Sequence, residues 1–250
     1  LLDADDLWKP EKAARQLEVV RSHPEVRLVF SDREHVRGGD VVLPRFLPGH
    51  EPYCQVEKTH LGGAVYRLEG TSTGRALFPG NFIKPSTLLL HRELFERAGG
   101  FDERFTAPDS PIGTCEDQDL SLRLSMHTNP VVVEEPLVIY RLREESLSSD
   151  RLGLKLGFAY LAEKVLSEPA RYPPGASDYF RDRKPHVLRE AAVLCMHDGA
   201  FDRATDLLRH SLRSRVTLRT LLAFAACLTG ERGFSALRSL KRRLDLPGLR

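Results

Sequence analysis

The chain has 250 residues, 41% of them hydrophobic and 29% charged, with a formal net charge of +2. That length holds one large domain, or one domain with an appendage, and the composition is that of a folded globular protein rather than a disordered or fibrous one. The longest apolar run, Leu221 to Leu228, is eight residues, far short of the roughly 20 that a membrane-spanning helix needs. The opening stretch LLDADDLWKP reads as a strand end, Leu1-Leu2, running into an acidic loop. Pro10 suits the first position of a helix with Ala13, Ala14, Leu17 and Val20 as its apolar stripe, and His23-Pro24 stops it. In VRLVFSD, Val26, Leu28 and Phe30 alternate as a strand with one apolar face. Strand, acidic loop, helix, strand is the order of an α/β protein.

Residues 33–80 are rich in Gly and Pro and weakly periodic, so loops are expected there, with short strands around DVVLPRF and GAVYRLE. STLLL at 86–90 is a compact strand, and RELFERA a short helix that Gly99-Gly100 cap at the C-terminus. GFDERFTAPDSPIG is a loop, and EDQDLSLRLSM a helix from about Glu116 with Leu120 and Leu124 on one face. VVVEEPLVIYRL reads as two strands broken at Pro136. From about residue 151 only helical patterns remain, in KLGFAYLAEKVL, VLREAAVLCM, FDRATDLLRHSL and LRTLLAFAACL. One helix–turn–helix unit among them is not a solenoid. The expected organisation is therefore an α/β part, 1–150, and a helical appendage, 151–250.

The small net charge hides a polarity. Residues 1–150 hold 18 Lys+Arg against 25 Asp+Glu, a balance of −7, and residues 151–250 hold 19 against 10, or +9. An acidic front suits cations; a basic back suits phosphates, anionic lipid or an acidic partner, or is a set of solvated helix faces. Four cysteines, Cys54, Cys115, Cys195 and Cys227, stand far apart without a CxxC, which argues against structural zinc and a disulfide framework, and for a reducing compartment. The nine histidines are scattered without metal spacing, Cys115 reads as a small buried side chain, and Trp8 as a packing residue rather than a platform for a base or sugar.

Two acid clusters carry the chemistry. Asp3, Asp5 and Asp6 crowd one strand-to-helix loop, and repel one another unless a cation joins them. Magnesium and manganese favour such hard oxygen ligands, and the C-terminal end of a strand is where ligands of α/β folds bind. An acid-rich surface turn is the other reading. The second cluster, Glu116-Asp117-Gln118-Asp119, opens a helix, where acids cap free N–H groups and suit the dipole. Capping explains any one of them; a carboxylate held ionised there also serves as a general base.

Taken in order, LDADDLWKPEK, the strand ending in FSD, NFIKPSTLLLHRELFERAGGFDERF, CEDQDLSLRL and EPLVIYRLREESLS resemble the family-2 glycosyltransferases of the GT-A fold over residues 1–150. The resemblance implies a Rossmann-like nucleotide-diphospho-sugar transferase domain. It implies that Asp3-Ala4-Asp5 is the DXD motif, with Asp5 a ligand of Mg2+ or Mn2+, Asp3 a second ligand or ribose contact, and Asp6 beside them. It makes Asp117 the catalytic base and Glu116 the residue that orients the site or the acceptor, while Gly100 to Glu103 resembles the stretch lining the acceptor side. Many relatives end this domain with Tyr-Arg-x-His; here Arg141 keeps the arginine and Arg143 replaces the histidine, exchanging a metal ligand for a group that pairs with phosphate oxygens. The QxxRW motif and membrane helices of the processive synthases do not appear, so a non-processive transferase is expected.

The implied partners are a nucleotide diphosphate sugar and a glycan or lipid-linked acceptor, in a cytoplasmic setting at the inner face of a membrane, with the basic helical tail as a peripheral membrane contact and no nucleic acid. In that family the strands before DXD build the base and ribose pocket. The opening LLDADD then marks a C-terminal part that keeps the acids, lacks most of the nucleotide site, does not turn over alone and has a sticky sheet edge. Two other classes fit the same acids: a non-catalytic binding module derived from such a domain, and a metal-dependent phosphoesterase.

Overall fold

The computed structural model describes residues 1–105, 114–143 and 150–235. In chain order its elements begin β1 (Leu7–Trp8), α1 (Lys12–Ser22), β2 (Leu28–Arg37), β3 (Asp40–Leu43) and α2 (Glu51–Cys54). They continue with β4 (Lys58–Gly62), β5 (Val65–Leu68), α3 (Gly70–Ala76), β6 (Leu88–Leu90) and α4 (Arg92–Ala98). After α5 (Glu116–Ser125) and β7 (Val131–Arg141) come four helices, α6 (Arg151–Ser167), α7 (Ala176–His197), α8 (Phe201–Ser214) and α9 (Leu218–Leu228).

The two long strands β2 and β7 pair in parallel at the centre. β2 carries β6 and β3 end to end on its other edge, and β7 carries β5 and β1 on its own, all antiparallel. β4 adds a hairpin to β5, completing a seven-stranded mixed sheet. A central parallel pair needs both faces covered, and Leu28 to Arg33 are buried throughout. This corrects the one-faced strand suggested by the alternation, and its end at FSD: β2 runs on to Arg37. Leu28 and Phe30 join the main core with Leu88, Leu120, Leu124 and Val132, while Val29 packs behind the sheet with Val19, Val131 and Leu137.

Pro136 does not split β7. The strand passes through it and the pairing slips, Asp32 falling opposite Pro136 and Arg33 opposite Val138, so the missing N–H is absorbed in a bulge. There the buried Asp32 carboxylate accepts from the N–H groups of Arg33, Phe46 and Leu47 at 2.8, 3.1 and 2.9 Å. With the Phe46 N–H also reaching Arg33 O at 3.0 Å, these bonds fix the 45–47 turn to the sheet.

Helix α1 also departs from expectation. It starts at Lys12, two residues after Pro10, and buries Lys12, Gln16 and Val19 while Leu17 is exposed. The Gln16 amide donates to the carbonyls of Val29 (3.4 Å) and Thr87 (2.8 Å), and the Lys12 ammonium to Gln16 Oε1 (2.7 Å). Meeting those remote carbonyls outweighs the apolar stripe. Burial brings the Lys12 ammonium down to about 8. Leu17, Leu1, Trp8, Leu89 and Phe95 line an open groove of about 480 Å3 along β6. Leu1 and Leu2 are exposed and lie in no strand.

The remaining expected elements stand, with α2, β4 and α3 added in the stretch read as loops. Gly99 caps α4 in the left-handed region at φ 87°, its N–H bonded to Glu96 O at 2.9 Å and that of Gly100 to Phe95 O at 3.0 Å. Residues 106–113 of the expected 100–113 loop lie outside the described residues.

Behind α5 the carboxylate of Asp119, fully buried, accepts from Arg123 Nη2 (2.6 Å), Lys164 Nζ (2.9 Å) and the Tyr172 hydroxyl (2.7 Å). Arg123 also donates to the carbonyls of Ala98 and Gly100 at the end of α4, and Lys164 pairs with Asp102 at 2.7 Å. Burial alone would raise the Asp102 carboxyl, but hydrogen bonds from Arg104 and Lys164 hold it well below its ordinary range. Leu161, Ala162, Val165, Tyr172, Ala176 and Phe180 belong to the same core as the sheet, so α6 and the start of α7 are part of that body. A separate core, with Ala192, Cys195, Leu208, Ala223 and Cys227, joins the far end of α7 to α8 and α9.

Removing Lys164 leaves the buried Asp119 and the half-buried Asp102 short of a cation. Lys164→Met is expected to cost about 3–5 kcal/mol in urea unfolding. A loss no larger than an exposed pair gives, about 1 kcal/mol or less, would show that Asp119 does not depend on it.

Candidate active site

The Asp3–Asp6 turn is pinned against the end of β7 because β1 pairs there, Leu7 opposite Ile139 and Trp8 opposite Val138. Two hydrogen bonds tie it to the segment entering β6: Asp3 N–H to Ser86 Oγ (3.0 Å) and Trp8 Nε1 to Ser86 O (2.8 Å). Trp8 is thus anchored by its indole N–H, but it is 41% exposed rather than packed away, with the Lys12 ammonium 4.2 Å from its ring centre. Arg141 Nε donates to the Asp5 carbonyl, and Arg141 N–H reaches Asp6 Oδ1 at 3.4 Å.

Asp6 is buried, and its second oxygen, Oδ2, has no partner. Burial first, then charged neighbours, raises the carboxyls of Asp3 and Asp6 above their ordinary values; for Asp3 the neighbours are Asp6, Asp117 and Asp5. That repulsion reaches across the cleft, since Asp117 stands at the first turn of α5.

Asp117 is held differently. Its Oδ1 accepts the Gln118 N–H at 2.7 Å and its Oδ2 the Lys84 ammonium at 2.6 Å. Burial pushes this carboxyl up, but Lys84, Asn81 and the Gln118 N–H outweigh it and hold it below the ordinary range. Burial likewise works against the Lys84 ammonium, and Asp117 overrides it, so both stay charged. Glu116 serves its own helix end, accepting from the Cys115 N–H at 3.0 Å.

A second cation lies beneath. Arg33, buried on β2, donates to Phe82 O (3.1 Å) and His35 Nε2 (3.2 Å), and stacks 3.6 Å over the Phe46 ring. Burial lowers it to about 10, with Asp6 and Asp117 among the negative groups that oppose the shift. It remains a guanidinium at neutral pH.

Of the residues singled out from sequence, the structure gathers Asp3, Asp5 and Asp6 on one turn, sets Arg141 against it, and places Asp117 within electrostatic reach of Asp3. Glu116 is half-buried, and Arg143 is exposed two residues past the end of β7. Asp102 of the Gly100–Glu103 stretch is engaged by Lys164 and Arg104. Lys84, Arg33, Asn81 and Ser86 were not picked out, although Lys84 and Ser86 stand in NFIKPS and Arg33 directly follows FSD. A cation beside a motif was the available signal. Among the described residues no three His, Cys, Asp or Glu side chains come together closely enough to hold a metal ion by themselves.

Compared with protein-family models and with curated protein sequences, the chain matches none. The structure itself defines a mixed α/β protein, compatible with a Rossmann-like arrangement, with a seven-stranded mixed sheet and a helical C-terminal part; in it Asp117 pairs with the half-buried Lys84, and the buried Arg33 is within electrostatic reach of Asp6 and Asp117.

One test concerns the wall of the cleft. His35 sits between Phe46 and Tyr140, with ring centres 5.4 and 5.0 Å away, and burial together with the Arg33 charge brings it down from 6.5 to about 4. Between those values the unfolded chain binds the proton that the folded one refuses. The contribution is therefore whole above pH 6.5 and lost as pH falls through about 4. Thermal melts stepped through that window should fall more steeply for the wild type than for His35→Gln; parallel curves would refute the account.

Proposed function

We propose that the chain carries the catalytic side of an inverting, metal-dependent glycosyltransferase of the GT-A type, moving a sugar from a nucleotide diphosphate to the hydroxyl of a glycan or lipid-linked acceptor. The observation that carries this reading is Asp117, kept ionised at the start of α5 and electrostatically coupled to the Asp3 carboxylate across the cleft. In the reaction, the acceptor oxygen bonds to the anomeric carbon as its proton passes to Asp117. The bond from that carbon to the diphosphate oxygen breaks, and the diphosphate leaves with the electron pair. A single displacement of this kind inverts the anomeric centre.

The donor side fits a hard cation. Asp3 and Asp5 are half-buried carboxylates at the turn, and Asp6 brings an oxygen without a partner. Magnesium or manganese commonly takes one or two protein carboxylates and completes its shell with phosphate and water. Bound there, it would stabilise charge on the departing diphosphate. Lys84 and Arg33 add fixed positive charge to the same cleft, which favours a diphosphate before and after bond breaking. Arg141 positions the Asp5 backbone, and Arg143, exposed nearby in sequence, suits an outer phosphate contact.

One observation favours the second reading, a binding module that holds a phosphate-bearing ligand without turnover. The 2.6 Å pair with Lys84 occupies the very oxygen a base would use, and lowers its basicity.

The two readings separate on Asp117→Asn in the polypeptide that contains this chain, assayed for transfer from a panel of nucleotide diphosphate sugars with Mn2+. The expected result is a loss of about 10²–10⁴ in rate with donor affinity little changed. An unaltered rate would remove Asp117 as base; nucleotide binding without transfer in the wild type would establish the binding module. Asp5→Ala is expected to abolish the manganese dependence of nucleoside diphosphate binding, measured by calorimetry. Binding by that variant that still responds to Mn2+ would move the cation elsewhere.

A further inference from the structure

Helix α9, LRTLLAFAACL, has Arg219 as its one charged residue. Its inner face, Thr220, Ala223, Ala226 and Cys227, is buried, three of those residues in the distal core beside α7 and α8. A helix apolar on all sides normally has every side covered. This one does not: Leu218, Leu221, Leu222 and Leu228 are 73%, 45%, 47% and 62% exposed. With Ala225, also exposed, they fall at i, i+3, i+4, i+7 and i+10, one unbroken stripe along the outer face. Val216, 68% exposed, extends it ahead of the helix.

The charged residues that flank the stripe in sequence are all basic between Asp206 and Glu231, namely Arg209, Arg213, Arg215 and Arg219. Arg209 reaches Asp206 at 2.9 Å and Arg215 reaches Asp182 at 3.4 Å. Arg213 and Arg219 are exposed and enter no ion pair among the described residues. We infer that this face of α8–α9 docks on an anionic phospholipid surface, the leucine stripe entering the headgroup boundary and the arginines lying among the phosphates. Amphipathic helices lie in membrane interfaces through this pairing of an apolar face with flanking cations. A second copy of the chain is a poorer occupant, because a two-fold interface would set the arginine collars of the two copies against each other. No described helix is long and apolar enough to cross the bilayer, so the contact is with its surface. The inference is independent of the catalytic reading, since the stripe belongs to a different core from the acids.

The test is co-sedimentation of the whole chain with vesicles of equimolar phosphatidylcholine and phosphatidylglycerol, and with phosphatidylcholine alone. Binding to the anionic vesicles only is expected. L221E/L222E should weaken it roughly tenfold or more, and R213E/R219E about fivefold for each arginine reversed. All four side chains are exposed, so both variants should melt with the wild type; L221S/L222S provides the same test if the glutamates disturb the helix. Failure to bind, equal binding to neutral vesicles, or wild-type binding by the leucine variants overturns the inference. So does a dimer that L221E/L222E dissociates, which would assign the stripe to a second copy.

Discussion

Helix α5, which carries Asp117, is held from behind by one buried carboxylate. Asp119 gathers Arg123 from its own helix, Lys164 from α6 and the hydroxyl of Tyr172, while Arg123 reaches on to the last carbonyls of α4. Four segments therefore meet at one charge, and the pairing with Asp102 brings two acids against two bases. A well-packed apolar cluster of the same size would hold such segments about as firmly. What it would not do is fix their rotation. A carboxylate with three directional donors is satisfied in few arrangements, and here that arrangement turns the first residues of α5, with Asp117 among them, toward the Asp3–Asp6 turn.

On the cleft side the electrostatics run in opposite directions at neighbouring sites. The Asp3 and Asp6 carboxyls are raised by burial and mutual repulsion, whereas Asp117 is lowered by Lys84 and its backbone contacts. Opposed shifts of this kind are what a site built around charged ligands requires, and they motivate the proposed function. The chain places its two cations against Asp117 and within the sheet, leaving the acid turn the side of the cleft most in need of positive charge. The proposed donor complex, a hard cation with a diphosphate, adds charge of that sign there.

Local signals made much of the fold legible. The glycine cap of α4, the acids opening α5 and the 3.6-residue patterns of α6 to α9 depend on residues a few positions apart, and the structure follows them. What escaped was set by distant partners. Gln16 and Lys12 turn inward because Val29 and Thr87 present carbonyls, a fact no helical periodicity carries. Pro136 looked like a break, yet a strand locked on both sides by β2, β1 and β5 absorbs it as a slip in register. The same holds for the site. Its acids were recognisable as clusters, but Lys84 and Arg33 are single cations whose meaning appears only when Asp117 and Asp6 are brought beside them. Asp119 and Arg123 have the spacing of an ordinary helix-surface pair, and it is Lys164, far along the chain, that shows the pair to be buried.

Lys164 also alters how the helical half is to be understood. The change of pattern near residue 151 is real in sequence, but the division in packing comes later, inside α7. Ala176 and Phe180 at its start belong to the core of the sheet, and Ala192, Cys195 and Met196 near its end to the distal core. At about 1.5 Å per residue, this one helix of 22 residues reaches across both bodies. Pro185 lies between the two sets of contacts, its carbonyl taken by the Ser211 hydroxyl of α8 at 2.7 Å, so the bond ties α7 to α8 where an internal proline weakens the helix ladder. A surface held by α9 would therefore act on the same helix that packs against Phe78. On the two proposals made above, docking at one end would set the direction in which the other end faces, and with it the approach of the proposed site to an acceptor.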